Sequence, residues 1–169
     1  MWNKKIWIGL LAVSASMGGA AVADEGKDQA AVAKLLPSAK VTLSRGLMVS
    51  ESKGQPISGK FEVGEGHFQL SIYTAQGAAL QEILVDYTTG KIEKAEHLSD
   101  AGDVAAARNQ VEAMAKATTT LSAVADKAEQ ESAGYRALSV VPVLKQHHAV
   151  AMVTLVKGTQ FKSVSESLE

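Results

Sequence analysis

The chain has 169 residues, with 17 Lys and Arg against 18 Asp and Glu, and no cysteine. A net charge of −1 excludes the basic surface that nucleic-acid binding demands. The lack of Cys excludes disulfides, thiol catalysis, thiolate zinc sites, Cys-attached haem and a lipid-anchored cysteine.

Residues 1–23 read as a cleavable signal peptide. Lys4 and Lys5 give a positive start, residues 6–17 an apolar stretch, and Ala21-Val22-Ala23 the small residues that signal peptidase needs. A membrane anchor needs about 20 consecutive apolar residues, whereas this stretch is broken by Ser14, Ser16, Gly18 and Gly19. Cleavage after Ala23 removes Trp2 and Trp7 and leaves 15 basic against 18 acidic side chains, a formal charge of −3. The expected location is the bacterial periplasm, with no stable membrane anchor.

The N-terminal segment, residues 24–40, is polar and then Ala-rich, and is ended by Pro37. From residue 41 the chain states one pattern twice. In the first copy, residues 41–98, Thr42 caps a short helix from Leu43 to about Ser52, stopped by Gly54 and Pro56. Strand candidates follow at 60–63, 67–75 and 80–87, alternating apolar and polar, with Gly-containing joints at 64–66 and 76–77. Residues 99–119 form a linker helix that Asp100 caps, with an expected packing stripe of Val104, Ala107, Val111 and Met114. In the second copy, residues 120–169, Thr120 caps a helix over 121–132, Gly134 stops it, and strands run at 136–144, 148–156 and 160–166. Leu43 matches Leu121, Glu51 matches Glu129, His67 matches His148, and Gly77 matches Gly158. The expected fold class is α+β: two helix-plus-three-stranded antiparallel units joined by a helix, packed into one cooperative whole.

The helix "LSRGLMVSESKG" from Leu43 and the strand end "VDYTTGKI", carried by Val85, Asp86, Thr89, Gly90 and Ile92, resemble a PepSY domain. The second copy, "LSAVADKAEQESAG" followed by "AVAMVTLVKGTQFKSVSE", resembles the same domain with a degenerate end. It has Glu166 and Ser167 in place of Val85 and Asp86, and no Thr-Gly follows. Gly46 stands where the family usually has a small residue such as Ala. The resemblance implies a role in restraining peptidases of the bacterial envelope, and it brings no catalytic residues. The "D-x-x-T-G" run also has a structural reading, because Asp and Thr side chains bond turn backbones and Gly supplies a positive φ.

Chemistry is sparse elsewhere. Of His67, His97, His147 and His148, the pair His147-His148 is the one that suggests metal. His67 and His148 could also face each other across a pseudo-twofold axis. Three or four convergent ligands are needed for a metal site, and a solvated turn is the favoured reading. No nucleophile elbow or phosphate loop is present, and the acids at 100–103 and 129–131 read as solvated. No catalytic residue, cofactor or metal is therefore expected.

The C-terminal sheet is apolar on both faces, unlike the first. Its second face, with Val150, Met152 and Val156, is the candidate partner-binding surface, covered by the linker helix, the first copy, a second subunit or a client. The function expected is a non-enzymatic periplasmic protein-interaction module that restrains a peptidase. Its partners would be an envelope peptidase, another periplasmic protein or a second copy in a homodimer. The alternative is a periplasmic small-ligand or metal-binding accessory protein.

Overall fold

The structure, a computed structural model, describes residues 21–64 and 66–169. The signal-peptide reading lies outside the described residues except for its last three, which open the first helix. Helix α1 spans Ala21–Leu35 and ends in a 3₁₀ turn, Leu36–Ser38, where Pro37 blocks continuation. Helix α2, Leu43–Ser50, is capped by Thr42, whose hydroxyl accepts from the Arg45 N–H at 3.1 Å. Strands β1 (Gln55–Gly64), β2 (His67–Gln76), β3 (Ala79–Val85) and β4 (Ile92–His97) follow as a meander. Helix α3 (Ala101–Met114) then crosses the sheet, and helix α4 (Leu121–Gln130) is capped by Thr120, which accepts from the Ala123 N–H at 3.2 Å. Strands β5 (Arg136–Lys145), β6 (His148–Lys157) and β7 (Gln160–Ser167) close the chain.

The described residues thus form an α+β fold with four helices and one antiparallel sheet of seven strands, ordered β4-β3-β2-β1-β5-β6-β7. Two points correct the sequence reading. The strands do not make two separate three-stranded sheets, because β1 pairs β5 at Gly59↔Val140 and Lys60↔Ser139. The first half also has a fourth strand, β4, whose mostly exposed charged residues carry no apolar alternation to betray it. The β1–β5 ladder is short, and Pro142, with no N–H to give, lies just beyond it.

The halves correspond closely in geometry. A shift of 81 residues carries His67–Gln76 onto His148–Lys157 and brings the bulge between Pro56 and Ser58 onto the one between Ala137 and Ser139. A shift of 78 carries the buried set Leu43, Ser44, Gly46, Leu47 and Ser50 onto Leu121, Ser122, Val124, Ala125 and Ala128. The Tyr87 carbonyl accepts from the Lys40 and Val41 N–H groups, as the Leu168 carbonyl does from those of Thr118 and Thr119. Gly59 and Val140 pair with each other and are also each other's counterparts, so a pseudo-twofold axis passes through this pair.

Side chains alternate across the sheet. One face packs against α2 and α4: a Cβ on Gly59 would meet Leu47 and Leu43, and Ala149, Ala151, Val153 and Leu155 are fully buried. The other face lies under α3, fixed by the bond from Ser58 Oγ to Gln110 Oε1 at 2.8 Å between two buried residues. The buried stripe of α3 is accordingly Asp103, Ala107, Gln110 and Met114 rather than the expected 104/107/111/114 set, with Val104 and Val111 half-buried.

Candidate functional site

Helix α3 covers part of the C-terminal sheet's second face. Lys60, on the face opposite Gly59, pairs with Ser139, which pairs with Thr154; Val141↔Met152 and Val143↔Val150 continue that face. Helix α3, the linker helix, packs on β5 and β6 here. Val156 is 4% exposed and sits across from Arg136. Val150 and Met152 are half-buried. Lys145 Nζ lies 3.1 Å from the Met152 sulfur and 3.5 Å from Ser165 Oγ, so a long aliphatic stem shields the patch while its charge stays near solvent. The exposed large apolar side chains of the described residues are Leu35, Met48 and Phe161, and Phe161 adjoins this face opposite Val156.

In the first half the same face is charged. Lys60 and Glu62 form an ion pair at 2.7 Å, and Tyr73 Oη lies 3.5 Å from Oε1 of buried Glu82. Asp103 descends onto this group from α3. It is 3% exposed and its Oδ2 has no hydrogen-bond partner, which corrects the expectation of a solvated acid. Burial first, and the neighbouring Asp100 carboxylate second, push Asp103 up to about 6, with Lys60 opposing. Burial, together with Glu62 and Glu82, likewise raises the Tyr73 phenol. A cavity of about 210 Å³ lined by Glu82, Glu96, His97 and Asp103 opens beside them. The signal for Asp103 was in the sequence: Asp103, Ala107, Gln110 and Met114 have helical spacing, one register away from the all-apolar stripe.

The histidines do not converge. The antiparallel β1–β5 register sends His67 and His148 to opposite ends of the sheet, roughly 30 Å apart at about 3.3 Å per residue, so they do not face each other. His148 Nδ1 lies 3.0 Å from Glu169 Oε2, holding that carboxylate below its usual range, while the His147 carbonyl accepts from Lys116 Nζ at 2.7 Å. Among the described residues no three His, Asp or Glu side chains are arranged to hold a metal ion.

The loop from Asp86 to Gly90 has a structural role visible in its bonds. Asp86 Oδ1 accepts from the N–H groups of Thr88 at 2.7 Å and Thr89 at 3.1 Å, and these bonds lower its pKa. Gly90, at φ +73°, turns the chain into β4. Glu129, read as solvated, accepts instead from the Ala137 N–H at 2.7 Å.

A larger cavity, about 350 Å³, lies between the end of α2 and the start of α4, lined among others by Leu47, Glu51, Gln55, Met114, Thr119 and Leu121. Nothing in the sequence pointed to it, because its walls come from segments some 65 residues apart.

No family model matches the chain, and no curated protein matches it. Among solved structures, a candidate lipoprotein from Clostridium difficile 630 is similar, at 14% identity and a TM-score of 0.40, over 72% of this chain and 81% of that one. A likeness this loose carries neither fold nor function.

Proposed function

We propose that this chain is an exported, non-enzymatic protein-interaction module of the bacterial envelope, built from two PepSY-like units and acting to restrain a peptidase in the periplasm. The observation that carries this reading is the repeated unit itself: a capped helix packed on a hairpin-linked antiparallel sheet, duplicated about an axis through Gly59 and Val140. The Asp86–Gly90 turn, which carries the resemblance, is held by the side-chain bonds that such a motif needs. Export rests on the pattern of residues 1–23, and among the described residues no helix is long and apolar enough to cross a membrane.

The partner surface in this reading is the half-buried patch of Val150 and Met152, flanked by buried Val156 and exposed Phe161. Two measurements test it. Intact mass of periplasmic material should show the chain beginning at Asp24. A thermolysin-like peptidase titrated with the mature protein should lose activity at stoichiometric ratios, and Met152→Glu should relieve the loss without altering the melting temperature. Unchanged peptidase activity at excess protein would overturn the restraining role.

A further inference from the structure

The pseudo-twofold axis makes two equivalent sites, and they differ in what fills them. In one, the Arg136 guanidinium donates to the carbonyls of Leu36, at 2.9 Å, and Val41, at 3.4 Å, in the connection that leads into α2. The counterparts of these three residues are Gln55, Met114 and Thr119, and all three line the 350 Å³ cavity. The backbone is repeated there: the Met114 carbonyl accepts from the Ala117 N–H at 3.1 Å, as that of Leu36 does from Ala39 at 3.0 Å. Gln55 is shorter than Arg, has no guanidinium and is exposed. One site is thus closed by the chain's own arginine, and its twin is open.

The acid beside each site differs in the same sense. Glu129 Oε1 accepts from the Ala137 N–H, which fixes it next to the closed site. The counterpart of Ala137 is Pro56, which has no N–H to offer the counterpart acid Glu51, and Glu51 is an exposed residue lining the open cavity. A carboxylate among the lining residues, an apolar wall of Leu47 and Leu121, and Met114 and Thr119, the counterparts of the residues whose carbonyls accept from Arg136, suit a planar, weakly hydrated cation. The nearby N-terminus of α4 disfavours positive charge by a fraction of a kcal/mol. Arg136 occupies the same position beside α2 all the same.

We propose that the open cavity binds the guanidinium of an arginine side chain supplied by a partner protein, completing in trans the contact that Arg136 makes in cis. The partner's identity as a protein rests on the interaction-module reading. The guanidinium chemistry does not, so the two can fail separately.

The test is an amide NMR titration of the full chain with N-acetyl-arginine methylamide, with the citrulline and lysine analogues as controls. A fragment of this size should saturate at a dissociation constant on the order of a millimolar. It should shift residues 54–56 and 118–122, and the citrulline analogue, lacking the charge, should bind at least about tenfold more weakly. No saturable shift, or equal binding of citrulline, overturns the proposal. Gln55→Arg should fill the cavity from within, keep the fold and abolish binding; undiminished binding by this folded variant also overturns it. Arg136→Gln should open the twin and double the stoichiometry to two. If that variant does not fold, Gln55→Arg still decides. An arginine-containing pentapeptide should bind at least about tenfold more tightly than the single residue if the natural source is a protein, while equal affinity would overturn the protein partner and leave free guanidinium compounds as the ligand.

Discussion

The two halves of the sheet share a backbone but not a chemistry on the face under α3. Lys60, Glu62, Tyr73 and Glu82 in the first half correspond to Val141, Val143, Thr154 and Ser163 in the second. The first surface holds an ion pair, a buried phenol and a buried acid, whereas the second holds half-buried aliphatic side chains topped by Lys145. Backbone pairing and alternation dictate which residues face α3, and they are indifferent to what those residues are. A repeated fold can therefore carry one polar, titrating surface and one adhesive surface.

The helix-facing side breaks the comparison most sharply. Leu47 is 1% exposed, and its counterpart is already Ala125. Leu47→Ala should cost about 2–5 kcal/mol by opening a cavity, whereas Ala125→Gly should cost about 1 kcal/mol through helix propensity. Urea denaturation of both variants measures the contrast, and equal losses would show that the halves do not pack as described.

Asp103 marks the charged face. Its folded pKa of about 6 lies above the ordinary carboxylate value of 3.8, so the folded state holds its proton more tightly than the unfolded chain. The stabilisation this gives is fully present below about pH 4 and is lost as pH rises through about 6. Asp103→Asn should flatten that stretch of the stability-against-pH curve. It should also raise stability at pH 7 by about 1–3 kcal/mol, since each tenfold change in proton affinity corresponds to about 1.4 kcal/mol. An unchanged slope between pH 4 and 7 would place the proton uptake elsewhere.

Gly46 offers a finer contrast with Val124. A Cβ on Gly46 would come within 2.6 Å of Leu70 Cδ2, while the second half accommodates a valine at the counterpart position. Ala in place of Gly gains about 1 kcal/mol in a helix, and overpacking costs about 1–3 kcal/mol. Gly46→Ala should therefore end near neutral to about 2 kcal/mol destabilised. Gly46→Val should do worse, and thermal melts of the pair give the order. The smallest effect sharpens the symmetry: Thr42→Ala and Thr120→Ala should each cost about 1 kcal/mol, because each hydroxyl caps one helix N–H.

Local rules determined a good deal of this molecule. Thr42, Thr120 and Asp100 cap their helices because a hydroxyl or carboxylate two or three residues before an unpaired N–H can reach it wherever the chain later packs. Gly77 and Gly158, at φ +58° and +59°, make turns for which any context would want glycine. The alternation in β2 marked Leu70 and Ile72 for burial but missed Ser71 and Tyr73, which are buried on the opposite face, and β6, apolar on both faces, carried no such signal. The tertiary structure decided the rest, and in each case the deciding partner is distant along the chain. That Gly59 lies beside Val140, making one sheet of two halves, depends on a ladder only two residue pairs long that leaves no local pattern. Strand β4 exists because β3 offers it an edge, since its own residues are too polar to announce a strand. Asp103 is an acid at a helix start in sequence and a buried, protonatable group in space because α3 rotates to bring Gln110 to Ser58. Arg136 and Gln55 look like ordinary strand-start residues. The difference between a plugged site and an open one arises only when the pseudo-twofold axis brings each to the connection preceding the opposite half's short helix, because hydrogen bonds across about 100 residues are set by packing and not by propensity.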